Sequence, residues 1–214
     1  MLAHHFLGRR AVLGLAAAAI AAAPWPALAD PAGNTPQAPI VQLDNALLAS
    51  MKSGASASFD GRYHALEPVI EQVFNLDAVL AASIGLSWAT MPDAQKAELA
   101  AAFRRYTVSS YVSNFNSYNG QSFAILPAVR PVGNGEAVVQ TQLIRTDDSP
   151  VKLDYVMRQT PAGWQVVDVL TDGSISRVAV QRSDFRQLLM SGGVPALAAG
   201  LGRKVASLSG GMLS

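Results

Sequence analysis

Few residues in this chain are of a kind and spacing that could do chemistry. His64 could serve as a general base, but it stands near a helix start beside Arg62 and Glu67 and reads as a surface or cap residue. Asp154, Asp168 and Asp172 could gather at one end of a sheet. An aspartate base with a tyrosine donor such as Tyr155 would be the pairing of isomerases built on curved α+β sheets. Asp154 alternates with Tyr155 along a strand and so faces away from it, which predicts a solvated side chain. Asp168 is flanked by Val166, Val167, Val169 and Leu170. A carboxylate in such apolar company needs a partner, and Arg158, Arg177 and Arg182 are the candidates. A structural ion pair and a catalytic acid or base are both open readings of Asp168.

Other chemistries lack their residues. No serine lies in a G-x-S-x-G elbow. The chain has no cysteine, which removes thiol nucleophiles, Cys–Zn sites and iron–sulfur clusters. His4 and His5 fall in a leader, leaving His64 without a second histidine for a metal site. No metal or cofactor is expected.

Residues 1–29 read as a cleaved secretory signal: His4, His5, Arg9 and Arg10 form a basic start, Ala11 to Ala23 an apolar run, and Ala27-Leu28-Ala29 a small-residue cleavage site. A run of about 13 residues is too short to span a hydrocarbon core of roughly 30 Å. Arg9-Arg10 suits a twin-arginine signal and an ordinary Sec signal equally, and either leads to the periplasm. Without this leader the chain has 14 basic and 15 acidic residues, a net charge of −1. That leaves no basic footprint for nucleic acid.

The elements that must position these residues are legible in the spacing. Residues 30–39, rich in Pro, Gly and Ala, predict a flexible leader. A single domain follows over 40–208. Val41, Leu43, Leu47, Leu48 and Met51 predict a first helix. Asp60 is the expected N-cap of a second, which Pro68 should kink or divide. Leu76 to Ile84 predicts a short helix capped by Asn75 and ended by Gly85. Thr90-Met91-Pro92-Asp93 is a capping-box-like start for a long helix through Leu99, Phe103, Tyr106 and Val112.

After Gly120 the period changes from 3.6 to 2. Strands are expected over 123–129, 136–145, 151–159 and 164–171, with turn residues between them. Short connections imply an antiparallel meander. Helices over 176–191 and 195–208, broken at Gly192-Gly193, close the chain. The class is α+β, with N-terminal helices packed on a four-stranded curved antiparallel sheet and C-terminal helices after it. The aromatics Phe74, Trp88, Phe103, Tyr106, Tyr111, Tyr155, Trp164 and Phe185 can be core, or they can line a cavity between helices and sheet.

Several short patterns carry a family likeness. They are Phe74-Asn75-Leu76-Asp77, Leu86-Ser87-Trp88, and Gln95, Leu99, Phe103, Tyr106 and Tyr111 along the long helix. Further on come Tyr155 with Arg158, Trp164 with Val167-Asp168-Val169, Gly173 with Ser174 and Ser176, and Arg182 with Phe185. On these residues the chain resembles the MlaC-type periplasmic phospholipid-binding proteins, also called toluene-tolerance auxiliary proteins, and within them the hopanoid-associated branch, HpnM. The likeness runs from about Ile40 to Leu208. Gln181 departs from it, since the family places an aromatic before the helix arginine; so does the near-neutral charge.

The resemblance implies a cystatin- or nuclear-transport-factor-like fold and no enzymatic activity. It implies a carrier for phospholipid or hopanoid, in only transient contact with membranes. Such a carrier would shuttle lipid between an inner-membrane ABC transporter with its MCE ring and an outer-membrane lipoprotein complex. The pocket would draw on Phe74, Leu76, Leu80, Ile84, Trp88, Phe103, Tyr106 and Tyr111 from the helices. Leu143, Tyr155, Val156, Trp164, Val167 and Val169 would come from the strands, and Phe185 and Leu189 from the last helix. Arg158, Asp168 and Arg182 would be structural. A fatty chain of ~16 carbons represents roughly 12 kcal/mol of transfer free energy, at about 0.8 kcal/mol per methylene. Such a tail must be enclosed to cross water. The remaining readings are an isomerase-like cone using Asp168 and Tyr155, and a structural subunit with a filled core.

Overall fold

The computed structural model describes residues 34–146 and 148–213; the stretch read as a secretory signal lies outside them. Helix α1 (Ala38–Ser53) begins two residues inside the stretch read as leader. A 3₁₀ turn leads to α2 (Phe59–Val73), then α3 (Leu76–Ile84), the one-turn α4 (Ser87–Thr90) and the long α5 (Asp93–Asn114). The sheet follows as β1 (Ser122–Gly133), β2 (Glu136–Arg145), β3 (Asp148–Thr160), β4 (Gly163–Thr171) and β5 (Ile175–Ser176). α6 (Arg177–Leu208) closes the chain. The sheet order is β1-β2-β3-β4-β5 with antiparallel neighbours throughout. The fold is therefore α+β as expected, but with five strands instead of four.

Local chemistry explains most boundaries. The Asn75 side chain accepts from the Ala78 amide at 3.0 Å and starts α3, and Gly85 ends it at φ 78°. For α2 the N-cap is Ser58, which accepts from the Gly61 amide at 3.0 Å; Asp60 lies inside the first turn instead. Pro68 does not divide α2, which runs unbroken from Phe59 to Val73. Pro68 and His64 are both exposed, so water can satisfy the carbonyl that proline leaves without an amide. Nor does a capping box start α5, where Pro92 precedes the helix without a side-chain cap. The fifth strand arises because Asp172 and Gly173, at φ 53° and 74°, form a left-handed turn that returns the chain onto β4.

The core lies where α1, α2, α3, α5 and α6 cover one face of the sheet. Leu43, Leu47, Leu66, Ile70, Leu80, Leu99 and Phe103 meet Val139, Tyr155, Met157 and Val166 there. α6 turns at Gly192-Gly193, the latter at φ 65°, and folds back on itself. Lys204 accordingly reaches Asp184 at 3.7 Å, and a Cβ at Gly200 would come within 2.9 Å of Leu188.

Candidate functional site

A cavity of about 360 Å³ opens between the helices and the covered face of the sheet. Phe74, at the end of α2, with Leu76 and Val79 of α3, forms one side. α5 presents Phe103, Tyr106, Thr107, Ser110, Tyr111 and Asn114, a face repeating every three or four residues, with Phe115 just beyond. The sheet contributes Leu143, Val151, Leu153, Tyr155, Val169 and Thr171, all on one side of the pleat. Asp168 and the start of α6, with Arg177, Val178 and Gln181, complete the wall. Aromatic contacts stiffen it: Phe74 lies 5.5 Å from Tyr111, and Tyr111 stacks on Phe115 at 5.9 Å and 11°.

Eight of the residues read from sequence as pocket lining stand in this wall: Phe74, Leu76, Phe103, Tyr106, Tyr111, Leu143, Tyr155 and Val169. The other eight do not. Leu80 and Ile84 are buried in the packing of α3, and Phe185 backs Phe103 edge-on at 6.1 Å. Leu189 and Trp164 pack on the core elsewhere, and Trp88 lies under Lys96 Nζ at 5.8 Å on α4. Val156 lies on the opposite face of β3 from Leu153, Tyr155 and Met157 by simple alternation, and Val167 is displaced by an irregularity. The pairing of β3 with β4 slips between Val156 and Met157, so that Met157 faces Val166 and Val167 is the extra residue. This bulge re-phases β4, keeps Val169 in the wall and removes Val167 from it.

Thr107, Ser110, Asn114, Val151, Leu153, Thr171, Arg177, Val178 and Gln181 line the cavity without being expected there, as do Val79 and Phe115. Periodicity along α5 and alternation along β3 were the signals that pointed to the first five. Gln181, the departure from the family pattern, is a wall residue that also accepts from Ser83 Oγ at 3.0 Å.

Asp168 pairs with no arginine among the described residues. Its oxygens accept from the Val169 amide at 2.7 Å, the Val178 amide at 3.0 Å and the Ser176 hydroxyl. Ser176 in turn caps α6 by accepting from Ala179 N at 2.9 Å. The carboxylate thus holds the helix start to β4 through capping bonds, which its negative charge strengthens at a helix N-terminus. The arginines are employed elsewhere. Arg158 donates to Glu136 at 2.6 and 3.0 Å across β2 and β3. Arg182 donates to the Ala82 carbonyl at 2.6 and 2.9 Å, tying α6 to the end of α3.

Asp154 is also a correction: it is buried, not solvated, and accepts from Gln140 Nε2 at 3.2 Å. His64 is exposed on α2, 3.5 Å from Asp60 and 3.7 Å from Glu67. Tyr111 and Tyr155 have phenols pushed up from the ordinary value of 10.0 by burial, so they remain neutral. Asp168 and Tyr155 share the cavity, but the isomerase pairing would need a carboxylate free to take a proton. Here the oxygens are engaged with α6. No cluster of metal-ligating side chains is present among the described residues, and no helix there is long and apolar enough to cross a membrane.

An antiparallel sheet, a shell of helices and a largely apolar cavity between them make an α+β fold with room for a small ligand. Residues 42–203 match the MlaC protein family, three quarters of the chain, and the chain belongs to that family. The fold is also similar to a solved structure of the phospholipid-binding protein from Ralstonia solanacearum in complex with a phospholipid. That match has a TM-score of 0.69 at 20% identity, covering 81% of this chain and 98% of that one.

Proposed function

We propose that this protein is a periplasmic lipid carrier that encloses the apolar part of a phospholipid, or of a hopanoid, and moves it between the two membranes. The observation that carries the reading is the cavity: about 360 Å³, walled by Phe, Leu, Val and Tyr side chains, in a chain with an otherwise well-filled core. The family and the phospholipid in the Ralstonia solanacearum relative support it. On this reading no bond is made or broken. The donor is an inner-membrane ABC transporter with an MCE ring, the acceptor is an outer-membrane lipoprotein complex, and contact with either membrane is transient.

The volume bears on how the lipid is held. A methylene takes up about the ~30 Å³ of a water molecule in the liquid, so the cavity as it stands has room for roughly a dozen. One fatty chain of ~16 carbons already fills it and leaves its last few carbons at the mouth, and a second requires the walls to part. α5 makes no backbone hydrogen bond to the sheet or to α6 among the described residues, so it can move away from them without such a loss, whereas α6 stays tied to β4 through Asp168 and the Val178 amide.

Transfer of a tail-labelled phospholipid from donor to acceptor vesicles checks the carrier reading. The rate should rise in proportion to protein concentration, because each protein molecule carries its cargo through water. A rate that stays at the spontaneous value at every concentration would refute transport.

A further inference from the structure

We infer that Arg177 is the anion-recognising group of this cavity and that it holds the phosphodiester of a lipid head group at the mouth. The inference rests on the carrier reading and adds the head-group chemistry to it. Of the residues that line the cavity, Asn114 and Arg177 are the two exposed ones, and they mark where the cavity meets solvent. Asp168 and Arg177 are the two charged ones. Asp168 already accepts from Ser176, Val178 and Val169 and forms no ion pair with Arg177. The mouth therefore carries a cation whose nearest anionic neighbour in the wall is committed elsewhere.

Arg177 differs in this from several arginines of the fold, and it differs from the likewise unpaired Arg105, Arg130, Arg186 and Arg203 in lining this cavity. Arg104, Arg145 and Arg158 pair with Glu71, Asp148 and Glu136. Arg62 and Arg182 donate to the carbonyls of Asn116 and Ala82. Arg177 has no ion pair and no side-chain hydrogen bond among the described residues. Its backbone is nevertheless fixed, because it is the first residue of α6 and lies between the Ser176 cap and the Val178 amide bound by Asp168. Its charge reaches the phenol of Tyr111 in the wall, where it opposes the upward push of burial.

A planar guanidinium offers paired donors that match two oxygens of a phosphate. The Asn114 amide, which also lacks a partner among the described residues, faces the same opening and adds a neutral donor. An acyl chain placed among Phe103, Tyr155 and Val169 thus brings its head group to a rim that favours a negative charge. A neutral head group would leave the guanidinium in water, with nothing gained.

The test compares wild type, Arg177→Gln and Arg177→Lys for uptake of phosphatidylglycerol and of a diacylglycerol with the same two chains. Arg177→Gln should weaken phosphatidylglycerol binding by about tenfold or more, the usual effect of losing hydrogen bonds to a charged group. Diacylglycerol binding should be unchanged, and Arg177→Lys should recover part of the loss. Millimolar inorganic phosphate should not displace the lipid. Wild-type affinity for phosphatidylglycerol in Arg177→Gln would overturn the inference while leaving the carrier reading intact. Equal weakening of both lipids would assign Arg177 to the wall and overturn it too. Displacement by inorganic phosphate that Arg177→Gln abolishes would make this a free-phosphate site. If wild type takes up neither lipid, the carrier reading itself falls.

Discussion

A Val169→Trp variant is expected to fold and to lose most of its bound lipid. Val169 lies opposite Tyr155 in the β3–β4 register and stands in the cavity wall. An indole projected from that position occupies a large share of a 360 Å³ space, and it does so where the lipid tail would lie. Overpacking a filled core costs about 1–3 kcal/mol, but here the added atoms enter an existing void, so the cost to folding falls at the low end. Val156→Trp is the control. Val156 is half-buried outside the wall, and the same indole there should leave occupancy unchanged. Uptake of a labelled acyl chain reads both variants. Full occupancy in Val169→Trp would mean that lipid does not enter between β4 and the helices.

The second large effect concerns Asp44, in the middle of α1. Its side chain is 5% exposed, and neither carboxyl oxygen has a hydrogen-bond partner among the described residues. Burial raises its pKa from 3.8 to about 7. In the unfolded chain the group ionises near 3.8, whereas in the folded protein it keeps its proton until about 7. The stability associated with the neutral form is therefore complete below the unfolded value. It drains away as pH rises between the two values and is gone above the folded one. At 1.36 kcal/mol per pH unit, this shift corresponds to a loss of roughly 4 kcal/mol.

Asp44→Asn removes the titration. The difference in unfolding free energy between Asp44→Asn and wild type should grow by that order between pH 4 and pH 7.5, in favour of the variant. Denaturant unfolding of the pair at several pH values makes the measurement. A flat difference would show that Asp44 finds a partner in solution.

Much of the architecture is written in local signals. Asn75, Gly85, the Gly192-Gly193 break and the change of period after Gly120 each act within a few residues, and each element they bound is present. The four long strands lie where alternation placed them, because side chains on a half-buried strand must alternate. What was illegible depends on contacts distant in sequence. The bulge at Val167 exists only in the pairing of β3 with β4, so Val167 and Val169 looked equivalent. The two-residue β5 is too short to carry a pattern. Asp168 had arginines nearby in sequence, but the backbone amides of α6 reach it first.

On α1 the apolar stripe pointed to Val41, which is 47% exposed, while Asp44 and Ser50 share the buried face. No local signal reveals a buried carboxylate without a partner. For the cavity, the aromatic residues of α5 were legible as a face, and their polar neighbours Thr107, Ser110 and Asn114 follow from the same helical period. Arg177 was considered only as a partner for Asp168. Its place at the mouth depends on how α6 is docked, and the docking is set by the Ser176 and Asp168 caps.

The most direct measurement of the central claim is native mass spectrometry of the protein purified, without detergent, from its own organism. The account expects a protein ion heavier than the bare chain by the mass of a lipid, with that lipid released on activation; phosphate among its fragments would mark a phospholipid, and a phosphate-free polycyclic lipid a hopanoid. A protein that flies at the mass of the bare chain, and stays bare after incubation with phospholipid or hopanoid vesicles, would contradict it.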